Sequence, residues 1–166
     1  MANPVFYFKG LTTAQKWSIG IYLIITFVLF FIFERDSEYI LAYCVISQIG
    51  LYLFYYKALR NLTFYLLCLG IGGLHLVLFN LILADHQSTL TLIQYASNLR
   101  NTLPLLVLFQ ILRCLNLLIQ DQELVSPQRS SFKDMHDKRY VMPTDYLFFV
   151  VYIFFFVTLF IGWEYP

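Results

Sequence analysis

The sequence predicts an all-α, polytopic membrane fold with five transmembrane helices and one interfacial amphipathic helix. Three observations lead there. Of the 166 residues, 60% are hydrophobic and 13% charged, about half the charge of an ordinary soluble domain. Five apolar runs reach the roughly 17 to 25 residues that a spanning helix needs. The polar remainder falls into short connections, so a water-exposed fold would have too little polar surface to cover its core.

The first span covers 17–33 (WSIGIYLIITFVLFFIF) and stops at Glu34-Arg35-Asp36. No small-residue cleavage site follows it, which predicts an uncleaved first helix and not a signal peptide. The second, 39–56, ends before Lys57 and Arg60, and the third, 62–84, ends before Asp85 and His86. Segment 87–102 mixes Gln94, Ser97, Asn98, Arg100 and Asn101 with Leu92, Ile93, Tyr95 and Leu99, the pattern of a helix lying in the headgroup region. Pro104 then opens a fourth span, 103–119, at a position where proline is tolerated. A polar loop over 120–144 precedes the fifth span, 145–163, and the whole is read as a single membrane domain. No internal repeat is present, which disfavours an inverted-repeat transporter.

Lysine and arginine orient the chain. With the N-terminus inside, Lys9, Lys16, Lys57, Arg60, Arg129, Lys133, Lys138 and Arg139 fall on the inner side, and Arg35 and Arg100 on the outer. The expected location is a bacterial plasma (inner) membrane, crossed several times, with the N-terminus cytoplasmic and the C-terminus outside. Asn61-Leu62-Thr63 forms an N-glycosylation sequon on the expected inner face, where it reads as a chance match. A net charge of +1 gives no basic stripe for nucleic acid. Cys44, Cys68 and Cys114 lie within apolar runs and read as packing residues rather than a disulfide framework.

Polar residues inside spans are costly and mark candidate sites. They are Gln48, His75, Asn80, Gln110, Arg113 and Asn116, expected as one polar layer held by the middle three helices while the first and fifth face lipid or a partner's apolar surface. At 1.5 Å per residue, Arg113, Gln48, Gln110 and His75 lie roughly 9 to 20 Å from the inner helix ends. Apart from Asp145 at the very start of the fifth span, no acid lies within a span to pair with Arg113, so it either snorkels to the interface or binds carbonyls, lipid phosphate or a partner's acid. Cys68, Gly72 and His75 form a stripe at helical spacing, with Gly70 and Gly73 beside it, suited to close helix approach. A single span histidine does not make a haem or metal site, and no cofactor is expected.

In the loop, Asp134, His136, Asp137 and Arg139 have a spacing that can supply metal ligands or acid-base groups, although a solvated loop facing anionic headgroups reads the same way. Arg129 and His136 also share the spacing of the arginine and histidine of some RNA-cleaving nucleases. The chain lacks G-x-S-x-G, H-E-x-x-H, Walker A and G-x-G-x-x-G motifs. Three function classes follow: a small subunit, assembly factor or anchor in a larger membrane complex; a transporter or channel for a small or anionic solute; and a membrane enzyme at the inner face. Expected partners are membrane lipids and either other membrane subunits or further copies of the chain.

Overall fold

The computed structural model describes residues 7–31, 37–85, 88–125 and 140–161. Among the described residues, six α-helices follow in order: α1 Thr13–Phe31, α2 Ser37–Tyr55, α3 Leu62–Ala84, α4 Leu90–Ala96, α5 Thr102–Gln120 and α6 Pro143–Ile161. Short 3₁₀ turns at Ala58–Arg60 and Ser97–Asn101 lead into α3 and α5. Among the described residues, five helical runs are long and apolar enough to cross a membrane, and the fourth is Leu90–Gln120, which joins α4, its 3₁₀ turn and α5.

The helix starts follow from local chemistry. Thr12 and Gln15 form a reciprocal capping box: the Gln15 amide donates to Thr12 Oγ1 at 3.2 Å and the Thr12 amide to Gln15 Oε1 at 3.0 Å. This starts α1 at Thr13, four residues before the apolar run. Asn61 Oδ1 accepts the Thr63 amide at the head of α3, and Thr89 Oγ1 accepts that of Leu92 at the head of α4. Pro143 occupies the first position of α6, and Asp145 reaches back to the Met142 amide at 2.8 Å.

Segment 87–102, expected as one interfacial helix, is divided. Leu90 is exposed, but Ser97, Asn98, Leu99, Asn101 and Thr102 are buried, and the segment packs against α2 and α3. Pro104 gives the reason, because it has no amide to donate to the Arg100 carbonyl and its ring crowds that turn. The helix tightens to 3₁₀ over 97–101 and continues into α5 instead of breaking.

Two apolar clusters fill the bundle. One gathers Tyr52, Leu59, Phe64, Leu105, Phe109, Phe148 and Tyr152, and the other Phe30, Ile40, Tyr43, Leu78, Phe79 and Leu99. The start of α1, the end of α2, the start of α3, the end of α5 and the start of α6 converge at one end. Because Arg60, Arg113, Glu123 and Asp145 gather there, we call it the charged end.

Candidate functional site

The candidate polar residues do not form one layer. They separate into two hydrogen-bonded groups, and Asn80 joins neither: it is exposed and donates to the Leu76 carbonyl of its own helix.

The first group is neutral and lies between the apolar clusters. On α2, Gln48 sits between Cys44 and Tyr52; on α3, His75 sits between Cys68 and Leu78; Thr102 sits between Leu99 and Leu105. Gln48 Nε2 donates to the Asn98 carbonyl at 2.9 Å and to Thr102 Oγ1 at 3.1 Å. Thr102 Oγ1 meets His75 Nδ1 at 3.0 Å, and His75 Nε2 meets the Tyr43 hydroxyl at 2.9 Å. Tyr43 in turn meets Thr26 of α1, whose hydroxyl donates to the Tyr22 carbonyl at 2.8 Å.

One set of proton directions satisfies every bond in this chain. Thr26 has one hydroxyl proton, spent on Tyr22, so it accepts from Tyr43. Tyr43 therefore accepts from His75 Nε2, which makes the neutral imidazole the Nε2–H tautomer, with Nδ1 accepting from Thr102. Each group donates once along the line, and four helices are tied in register. Asn101 adds a fifth element, donating to the Leu159 carbonyl in the last turn of α6 at 3.1 Å.

Of the Cys68–Gly72–His75 stripe, Gly72 and His75 meet the start of α5, while Cys68 lines the hollow beside α1 and α2. All three are buried, and a Cβ on Gly72 would lie 2.8 Å from Leu103 Cδ2. Gly72 thus permits the approach that brings His75 to Thr102, whereas a Cβ on Gly70 or Gly73 meets nothing within 4 Å.

The second group is charged. Arg113 has no exposed surface, so it does not snorkel. Its acid comes from its own chain: Nε and Nη2 donate to Glu123 Oε2 and Oε1, both at 2.7 Å, and Nη1 donates to Gln110 Oε1 at 3.2 Å. Gln110 Nε2 fixes the Leu59 carbonyl at 2.8 Å, and Arg60 donates to the Leu124 carbonyl at 2.8 Å with its Nε 3.7 Å from Glu123. Asn116 donates to the Gln122 carbonyl at 3.0 Å, and Asp145 accepts the Val125 amide at 3.4 Å.

Asp121 makes this return possible. It ends α5 in the left-handed region (φ 52°), which aspartate tolerates better than most residues. The chain reverses there, and Leu124 and Val125 are buried against the bundle. The first and fifth helices are also less purely apolar in role than expected, since α1 supplies Thr26 and α6 supplies the fully buried Asp145.

Asn61 of the sequon is spent structurally, with its Nδ2 donating to the Lys9 carbonyl at 2.9 Å and its Oδ1 capping α3. The loop candidates Asp134, His136, Asp137 and Arg139, with Arg129, lie outside the described residues. Among the described residues, no group of three metal-ligating side chains gathers.

Two large hollows flank the exposed side of α2. One, about 490 Å³ between α1 and α2, is lined by Ile21, Ile25, Ile49 and Phe54 among others. The other, about 560 Å³, lies between α2 and α4 beside Glu38, Leu41 and Tyr95. Val45 and Ile46 line both, so the two hollows meet at the exposed face of α2. Neither is lined by Gln48, His75, Gln110, Arg113 or Asn116. Comparison of the chain with protein family models, curated proteins and solved structures finds no match.

Proposed function

We propose that the chain is a multi-pass membrane protein that acts as a small structural subunit, assembly factor or anchor in a larger membrane complex. One observation carries this reading. The polar groups that a transport path or reaction centre would use are bonded to one another inside the bundle, while the hollows on its flank lie elsewhere and expose Ile46 and Phe54.

Lipid is the solvent that suits the outer surface. Trp17, Ile24, Phe27, Phe31, Leu147, Val150 and Phe154 are each more than half exposed, an apolar surface that water would drive to aggregate. With the charged end cytoplasmic, Lys9, Lys16, Lys57 and Arg60 obey the positive-inside rule. The exposed face of α2 and the hollows beside it then face the bilayer laterally, where an apolar helix of another subunit or of a second copy can lie against Val45, Ile46 and Phe54. The transporter alternative would place Arg113 on a solute path, but its guanidinium is enclosed by Glu123 and Gln110.

The test is gentle solubilisation from native membranes, with a photo-crosslinking side chain at Ile46 and, as control, at the exposed Leu118 near the end of α5. Recovery of one discrete partner in fixed ratio, crosslinked from position 46 and not from 118, is the expected result. A monomer that crosslinks only to lipid from both positions would sink the proposal.

A further inference from the structure

The hydrogen-bonded chain through His75 has one loose end. Gln48 gives both amide protons away, to Asn98 and Thr102, and this fixes which side of its amide carries Oε1. That Oε1 is buried and has no hydrogen-bond partner. One turn further along α2, the Tyr52 hydroxyl is buried and also has none. Both residues are 2% exposed.

These two orphans belong to one place. Residues four apart on a helix share a face, and a helical side chain leans toward the preceding turn, so Tyr52 leans onto the turn of Gln48. Both line a cavity of about 10 Å³ that also touches Thr102, Phe109 and Tyr152. That is about the space that one water needs, and a buried water requires at least two polar partners.

We propose that this cavity is a binding site for a single ordered water, which accepts the Tyr52 hydroxyl proton and donates to Gln48 Oε1. One atom offers a proton and the other a lone pair, yet the two make no direct hydrogen bond, so a single water that accepts from the first and donates to the second satisfies both. Tyr52 stacks on Tyr152 of α6 with ring centroids 4.0 Å apart. The water thereby extends the polar chain from the α2–α5 junction to an aromatic pair that holds α6. A hydrocarbon occupant would leave both orphans unsatisfied, and a larger ligand has no room.

A structure of the full chain in lipid, at a resolution where other buried waters are visible, is the direct test. Density within about 3.2 Å of both Gln48 Oε1 and the Tyr52 hydroxyl is expected. An empty cavity, or a direct bond between the two side chains, would overturn the site. An independent arm uses thermal unfolding of Tyr52→Phe in two backgrounds. In the parent chain it should lower the melting temperature by roughly 2 to 4 °C, because a buried acceptor loses its bridge. In a Gln48→Leu background the same change should cost nothing or raise it. Equal losses in both backgrounds would show that the two side chains are not coupled, and the proposal would fail.

Discussion

The two polar groups of the bundle solve the same problem with different means. The middle group is neutral, built from hydroxyls, an imidazole and an amide that meet across helices, and every donor has one acceptor along the line from Gln48 to Tyr22. The charged end uses full charges, and its key acid, Glu123, arrives from a segment after α5 that must first reverse at Asp121. The first arrangement needs only helix register. The second needs a folded connection, so its failure modes are larger.

That contrast predicts the largest effect at Glu123. Glu123→Ala leaves the guanidinium of Arg113 buried without a counter-charge, and losing one partner of such a pair costs about 3 to 5 kcal/mol. The double variant Arg113→Met with Glu123→Leu should recover most of that loss, because apolar replacement of a buried pair is often neutral. Denaturant unfolding in detergent measures both. If the double variant is as damaged as Glu123→Ala, the pair serves more than its own charge balance and the comparison needs revision.

In the neutral group the matching change is Thr102→Val. It removes the acceptor for Gln48 and the donor to His75 Nδ1 without changing volume much, and should cost about 1 to 3 kcal/mol. The imidazole reports this independently. With Thr102 absent, the fixed tautomer loses its reason, and nitrogen NMR of His75 should show both neutral tautomers where the parent chain shows the Nε2–H form alone. A single unchanged tautomer would mean that Tyr43 suffices to hold the ring.

A smaller effect belongs to Gly72. Its Cβ would press on the far end of the Leu103 side chain at 2.8 Å, which a rotamer change can relieve in part, so Gly72→Ala should cost about 1 kcal/mol. Gly70→Ala and Gly73→Ala meet open space and should be neutral or slightly stabilising. All three are read from the same melting curves. Equal effects at the three positions would remove the close-approach argument.

What could be read from the sequence follows the range of the interaction. Five helical runs long and apolar enough to cross a membrane were legible because hydropathy along the chain needs no knowledge of neighbours. Gln48, His75, Gln110, Arg113 and Asn116 were legible as costly buried groups, but their partition into two sets was not, since helix tilt and register decide who meets whom. Glu123 was hidden because it stands outside every span, and only the left-handed turn at Asp121 brings it back. Thr102 was hidden behind the helix it begins. Its spacing from Asn98 and Asn101, four and one residues, put a polar face on the 3₁₀ turn, which read as a membrane surface and is in fact turned inward.

The smallest effect tests the one signal that was local and still passed over. Thr12-Thr13-Ala14-Gln15 is a capping box written in four consecutive residues, and it moves the start of α1 four residues ahead of the hydrophobic run. Hydropathy hides it because Thr13 to Lys16 are mostly polar and solvent-facing. Thr12→Ala removes the hydroxyl that caps the Gln15 amide and should cost about 0.5 to 1 kcal/mol, confined to the first turn. Amide exchange at Gln15 and Lys16 should rise while exchange at Thr26 stays unchanged, because the bonds of Ser18 to Tyr55 and of Thr26 to Tyr43 still hold the rest of α1. Faster exchange throughout α1 would mean that those two hydroxyl contacts are too weak to retain the helix, and that its attachment begins at the cap.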